Sequence, residues 1–323
     1  MRTIAIVAGG DSSEYEISVK SAREVEKSLS SVYSTYIVMI RGINWYWEDR
    51  KGRYLSIDKN DFTLTTEEGK IRFDAVFIAI HGTPGENGLL QGYFDMLQIP
   101  YSGCSTFCSA LTFNKQACKL YLKEYGIPMA KNILLRDGAN LDPDAIIKNM
   151  GLPCFVKPND SGSSFGVTKV KTREDFPAAL RAAFKESREV MVEEFMDGRE
   201  VACGVVKVKE KAIILPVTEI ISKNEFFDYE AKYTPGKSDE VVPADMTDEL
   251  TESIRELSSV IYDILGCRGI VRVDFIVIGE KPFFLEINTV PGMTEESLIP
   301  KQALAAGIRL EDIYSMVIED LFR

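Results

Sequence analysis

Short apolar runs that end in glycine set the pattern of the first hundred residues. "TIAIVAGG" (3–10), "STYIVMI" (34–40) and "FDAVFIAIHG" (73–82) read as buried strands. A helical pattern from about Ile17 to Leu29 separates the first two. This alternation of strand, glycine loop and helix predicts a parallel sheet with ligands at the carboxyl ends of its strands. A helix follows "GENG", then the short strand "IPYSG" (99–103). "SALTFNKQACKLYLKEYGIP" (109–128) reads as one long helix stopped by Gly126 and Pro128.

From 133 to 195 the pattern becomes strand, helix, strand, loop, strand, helix, strand. "REVACGVVKVKEKAIILPVTEII" (199–221) predicts an antiparallel hairpin. The stretch 222–244 is polar, studded with aromatics and aperiodic, the mark of a long functional loop. A helix near 247–265, strands at 270–278 and 282–288 and a terminal helix complete the chain. "GINWYWEDRKGRY" (42–54) is taken as strands of the first unit.

Composition narrows the function. The 323 residues carry a net charge of −11, which disfavours a nucleic-acid partner. No run approaches a membrane span, and the opening apolar run is too short for a signal peptide, so a cytoplasmic protein is expected. The six cysteines have no C-x-x-C pair and there is one histidine, so a zinc cluster is disfavoured and reduced core thiols are expected.

The candidate chemistry concentrates in five stretches. In "VRVDFIV" (271–277) and "FFLEIN" (283–288), an antiparallel return puts Asp274, Glu286 and Asn288 on one face. Oxygen donors without His or Cys suit Mg²⁺ or Mn²⁺, with phosphate oxygens completing the shell. Arg272 shares that face, so an Arg–Asp–Glu salt-bridge network is the competing reading. "KPNDSGSSFGVTKV" (157–170) offers Lys157, then a small-residue loop in which Ser163 and Ser164 can meet a phosphate. It lacks the Walker A spacing. "VEEFMDGRE" (192–200) could present an adenine-binding edge and Glu200 for a ribose, although acids there are commonly a solvated edge. His81 opens the glycine-rich "HGTPGENG" (81–88), and Glu14 in "GGDSSEYEIS" (9–18) could bind an ammonium or merely cap a helix.

Together these stretches, with "FDYEAKY" and "LEINTVPGMTEESLIP", resemble a D-alanine–D-alanine ligase of the ATP-grasp superfamily over nearly the whole chain. The resemblance implies an α/β fold, α+β in its ATP-binding part, in three domains. These are a Rossmann-like substrate domain (1–113), a central ATP-grasp domain (114–200) and a C-terminal ATP-grasp domain with the metal site (201–323). It implies ATP as substrate and two Mg²⁺ or Mn²⁺ ions at Asp274, Glu286 and Asn288. Lys115, Lys157, Ser163 and Ser164 match phosphate-binding positions, Glu193, Glu194, Phe195 and Met196 the adenine strand, and Glu200 the ribose site. Glu14 and His81 match the first D-alanine's surroundings. Arg272 and the Gly292 N–H match an oxyanion hole, and Ser297 and Leu298 hold the second carboxylate. Lys232 would contact the transferring phosphate, and Glu14, Ser163 and Tyr233 would tie the 222–242 loop over the site. The implied reaction forms a D-alanyl phosphate, then D-alanyl-D-alanine for peptidoglycan, by a cytoplasmic homodimer.

Tyr233 favours the dipeptide over D-alanyl-D-lactate, since lactate-forming relatives tend to carry Phe there. Ala8 and Tyr15 depart from the residues frequent at those places and bear on fine substrate preference. The alternatives are another ATP-grasp carboxylate–amine ligase, a D-alanine–D-lactate ligase, a nucleotide-binding module without catalysis, and a nicotinamide dehydrogenase. The Glu14 and His-Gly stretches oppose the first, the intact Arg272 and metal residues the third, and the missing dinucleotide fingerprint the last.

Overall fold

The computed structural model describes residues 1–138, 142–162, 164–209, 211–223 and 236–323. Its strands fall into three sheets. The first is built from β1 (Thr3–Gly9), β2 (Ser34–Arg41), β3 (Asn44–Glu48), β4 (Tyr54–Asp58), β5 (Thr63–Thr66), β6 (Gly69–Arg72) and β7 (Ala75–Ile78), in the order β6-β5-β4-β3-β2-β1-β7. β1 pairs in parallel with both β2 and β7, as the glycine-ended runs predict. From β2 outward the pairing is antiparallel, so the expected all-parallel sheet is corrected to a parallel centre extended by a meander. The 42–54 stretch supplies β3 and the turn to β4. That part lacks crossover helices, and tight turns can join only antiparallel neighbours.

Helix α1 (Tyr15–Leu29) buries Ala22, Val25 and Leu29 against Ile4 and Ile6 of β1. Each fully buried aliphatic side chain of this kind is worth about 1.5–3 kcal/mol. The same core takes Ile313, Tyr314 and Val317 from the end of the chain, so the C-terminus packs on the N-terminal sheet. Helix α2 (Leu89–Leu97) covers the other face through Leu90 and Phe94.

The stretch expected as one long helix is two. α3 (Thr106–Phe113) ends and α4 (Lys115–Lys123) begins at Asn114, whose backbone is extended (φ −85°, ψ 101°). Its side chain accepts the Ala117 N–H and so caps α4. Asn159 adds a second cap, its Oδ1 accepting the Gln116 N–H at 2.8 Å while its carbonyl accepts that of Lys115. The break aims the first turn of α4 at the loop that follows Lys157.

The second sheet is antiparallel, β10-β9-β11-β8, from β8 (Asn132–Arg136), β9 (Cys154–Pro158), β10 (Thr168–Val170) and β11 (Glu189–Glu194). Helices α5 (Pro143–Met150) and α6 (Phe176–Glu186) cover it. The third contains β12 (Arg199–Val208), β13 (Lys211–Ile214), β14 (Thr218–Ser222), β15 (Ser238–Val241), β16 (Gly269–Ile278) and β17 (Lys281–Asn288). Its order is β15-β14-β12-β16-β17, with β13 also on β12. α7 (Asp248–Ile264) packs beneath it through Leu250, Ile254 and Ile261. The single terminal helix expected is a pair, α8 (Leu298–Ala305) and α9 (Leu310–Asp320), separated by a turn in which Gly307 takes φ +69°.

The β16–β17 hairpin resolves a conflict of parity. Phe284 is buried and Glu286 lines a cleft, yet residues two apart share a face in a regular strand. The register shifts between Asp274↔Glu286 and Phe275↔Phe284, leaving Leu285 as the extra residue of a bulge. The bulge lets Phe284 and Ile287 enter the core while Glu286 and Asn288 face outward.

Candidate functional site

The third sheet, the loops after β1 and β7, and the small-residue loop after β9 enclose a cleft of about 1270 Å³. Ten of the expected residues line it: Glu14, His81, Lys115, Ser164, Arg272, Glu286, Asn288, Gly292, Ser297 and Leu298. Ser163, Lys232 and Tyr233 lie outside the described residues.

The floor is the hairpin. Arg272 stands opposite Asn288, and Asp274 opposite Glu286, so all four side chains share one face. Arg272 forks onto buried Asp274, with Nε and Nη2 each 2.7 Å from an oxygen, and Asn288 Nδ2 donates to Asp274 at 3.0 Å. The salt bridge weighed as an alternative to a metal site thus exists. It holds Arg272 at the cleft edge and engages both Asp274 oxygens, with Glu286 and Asn288 on the same face of the hairpin. Two carboxylates and an amide oxygen on adjacent strands fit a hard divalent cation.

Outside the cleft lining, Glu193 joins two lysines. Its buried carboxylate lies 2.6 Å from Lys119 Nζ and 2.5 Å from Lys157 Nζ. Burial opposes its ionisation, but the two ammonium groups outweigh burial and hold the carboxyl below its usual range. Burial lowers the Lys119 ammonium. Glu193 opens the stretch expected to run along the adenine, and its carboxylate is committed to two lysines. Lys115 Nζ donates to the Ser161 carbonyl at 2.6 Å, tying α4 to the loop. That loop presses on Glu14, since a Cβ at Gly162 would sit 2.5 Å from Glu14 Oε2.

The strand that ends at Glu194 continues away from the cleft lining. Glu194 accepts the Lys131 N–H at 2.8 Å, Phe195 is half-buried under the Lys169 ammonium at 3.8 Å, and Met196 is half-buried beside it. Glu200 sits on β12 opposite Ile220. None of these four residues lines the cleft.

His81 is buried, and both ring nitrogens are engaged. Nδ1 lies 2.8 Å from the Val290 carbonyl, which can only accept, so Nδ1 carries the proton and Nε2 accepts from Ser21 Oγ at 3.0 Å. Burial lowers its pKa and keeps it neutral. Glu86 makes a second bridge between the same loops, accepting the Gly82 N–H at 2.7 Å and the Val290 N–H at 3.2 Å. Burial first, then the Glu14 charge, pushes its carboxyl up to about 7. Beyond them Gly292 abuts Ser297, with a Cβ at Gly292 meeting Ser297 Oγ at 2.6 Å. Ser297 also precedes α8, whose first residue is Leu298.

Sequence reasoning missed Lys119, Glu86 and Lys301. Lys119 lies four residues after Lys115, on the same helical face, and that spacing could have exposed it. Glu86 stood inside a quoted stretch but carried no sign of burial. Lys301, one turn into α8, reaches Glu240 at 3.0 Å and brings β15 to the cleft.

Residues 3–104 match the family model described as D-ala D-ala ligase N-terminus, and residues 121–319 the one described as D-ala D-ala ligase C-terminus. A D-alanine–D-alanine ligase of Phocaeicola vulgatus is 51% identical over 323 residues, covering 99% of each chain. The crystal structure of D-alanyl-alanine synthetase A from Vibrio cholerae superposes with a TM-score of 0.89 at 30% identity, covering 100% of this chain and 99% of that one. A D-alanine–D-alanine ligase from Bacillus anthracis complexed with ATP matches at 0.79 and 29%, covering 100% and 98%.

Proposed function

The chain belongs to the D-alanine–D-alanine ligase family, with its ATP-grasp fold, and from that premise we propose how its residues divide the work. The protein is an ATP-dependent ligase that joins two D-alanines for peptidoglycan synthesis. The observation that carries the assignment of roles is the hairpin register that puts Arg272, Asp274, Glu286 and Asn288 on one cleft face.

Glu14 holds the ammonium of the first D-alanine at the mouth of β1. That substrate's carboxylate attacks the γ-phosphorus of ATP, the bond to the β-bridging oxygen breaks, and ADP leaves. Lys115, Lys157 and the Ser163–Ser164 loop hold the phosphates in line, with Lys232 contacting the transferring group. Glu193 and Lys119 position Lys157 from below. The main chain of Glu194, Phe195 and Met196 takes the adenine, and Glu200 the ribose. Mg²⁺ or Mn²⁺, when bound by Asp274, Glu286 and Asn288, neutralises charge on the terminal phosphates.

The amine of the second D-alanine then attacks the acyl carbon. Its carboxylate is oriented by Ser297 and by the Leu298 N–H at the start of α8. Arg272 and the Gly292 N–H stabilise the tetrahedral oxyanion until inorganic phosphate departs. His81 and Glu86 fix the loops that carry these groups, and Tyr233 joins Glu14 and Ser163 in closing the site against water. Domains at 1–113, 114–200 and 201–323, a homodimer and a cytoplasmic location complete the reading. Among the described residues no helix is long and apolar enough to cross a membrane.

The test is isotope exchange in ATP. With ¹⁸O in the β,γ-bridge, D-alanine alone must scramble the label through reversible acyl phosphate formation, and Arg272→Met must suppress turnover more than scrambling. Turnover without scrambling under any substrate condition would favour direct amine attack and sink the two-step reading.

A further inference from the structure

Three of the six cysteines meet outside the cleft lining. Cys104 precedes α3 and Cys108 lies in its first turn, four residues on and hence on the same side. Cys267 comes from the other half of the chain, at the end of α7. There Gly266 adopts φ +64°, and the N–H of Cys267 donates to the Tyr262 carbonyl at 3.0 Å, a helix stop that turns Cys267 back toward α3. The three sulfurs lie within 4.8 Å of one another, and Cys108 Sγ is 3.7 Å from Cys267 Sγ. All three residues are buried and none forms a disulfide.

The spacing matches a metal thiolate. Zn–S bonds of about 2.3 Å at tetrahedral angles put neighbouring sulfurs about 3.8 Å apart. The Arg268 main chain brackets one of these sulfurs, its carbonyl accepting the Cys104 S–H. The Arg268 N–H donates to Cys104 Sγ at 3.4 Å, and the Arg268 carbonyl lies 3.7 Å from that atom.

We propose that Cys104, Cys108 and Cys267 form a binding site for a thiophilic divalent cation of the Zn²⁺ class, separate from the carboxylate site at Asp274, Glu286 and Asn288. Binding releases the thiol protons to solvent and leaves a singly negative trithiolate complex beside Arg268. The ion ties the segment before α3 to the start of β16, which begins at Gly269 and carries Arg272 three residues later. Spacing alone conceals such a site, because Cys104 and Cys108 lack zinc-finger spacing and Cys267 is 159 residues beyond Cys108.

Cadmium is the first probe, because sulfur ligands give Cd²⁺ an ultraviolet charge-transfer band that oxygen ligands do not. The reduced protein, saturated with Mg²⁺, should take up one Cd²⁺ per chain with that band. Cys108→Ser and Cys267→Ser should lose it, and Cys154→Ser, in the core of the second sheet, should keep it. No band in the folded wild type, or a band that survives in both variants, overturns the proposal. X-ray absorption of the zinc-loaded wild type needs no variant. A shell of three sulfurs is expected, and an oxygen and nitrogen shell without sulfur overturns the site.

Discussion

Glu193→Gln is the sharpest perturbation that the structure suggests. The wild-type carboxylate is 2% exposed and faces two ammonium groups at 2.6 and 2.5 Å, one of them on fully buried Lys119. An amide keeps the shape but removes the charge that both lysines need. Breaking a buried pair by deleting one partner costs about 3–5 kcal/mol, because the other charge stays buried. Lys119 limits the loss. Burial already lowers its pKa, and in the variant it can shed its proton, at about 1.4 kcal/mol per unit of further depression.

The signs of the pH dependence follow. Glu193 has a depressed folded pKa, so its stabilisation is present above the unfolded carboxyl value of 4.5 and is lost as pH falls through the folded value. Lys119 is also depressed, so it penalises the folded state at neutral pH, and the penalty fades as pH rises. Urea unfolding should therefore show Glu193→Gln about 3 kcal/mol less stable near neutral pH, with the gap narrowing as pH rises toward the unfolded lysine value of 10.5. Adding Lys119→Met should recover much of the loss, since an apolar replacement of a buried ion pair is often tolerated. A deficit below about 1 kcal/mol, or one that widens with pH, would refute the reasoning.

Gly162→Ala puts a methyl 2.5 Å from Glu14 Oε2, so turnover should fall at least about tenfold while the melting temperature holds; unchanged kcat would mean that the loop does not bear on Glu14 in the working enzyme. Glu286→Gln should abolish turnover at unchanged stability, read by phosphate release and thermal melting, because it alters the proposed cation donor set and not the core. Glu86, with its carboxyl raised to about 7, binds a proton in the folded state that the unfolded chain gives up near 4.5. Its contribution is full below 4.5 and lost as pH rises through 7, on the order of 3 kcal/mol. Buried His81, with its lowered pKa, contributes the opposite slope, so the difference is the readout: from pH 5 to 8 the unfolding free energy of Glu86→Gln should rise relative to that of the wild type, and parallel slopes would exclude Glu86 as a source.

Local pattern exposed much of the fold. The glycine-ended runs gave β1 and β7, and the acid-bearing strands gave the hairpin floor, because strand periodicity is written in neighbouring residues. What was hidden depends on contacts distant in sequence. Asn114 breaks a helix that its composition supports, helped by Asn159 from another element. The bulge at Leu285 depends on which face of β17 the core claims. The cleft residues were readable from motif resemblance, but Glu193's partners were not, since Lys119 becomes a partner only when α4 packs against the second sheet. Likewise, α9 packing on the first sheet joins the two ends of the chain, and no local signal announces it.

The most direct test of the central claim is ATP-dependent phosphate release with Mg²⁺ in the presence of D-alanine, L-alanine, or D-alanine with D-lactate, with products identified by mass. The account predicts release with D-alanine, D-alanyl-D-alanine as the product even when D-lactate is present, and none with L-alanine. Tight ATP binding without D-alanyl-D-alanine in any of these mixtures would contradict it.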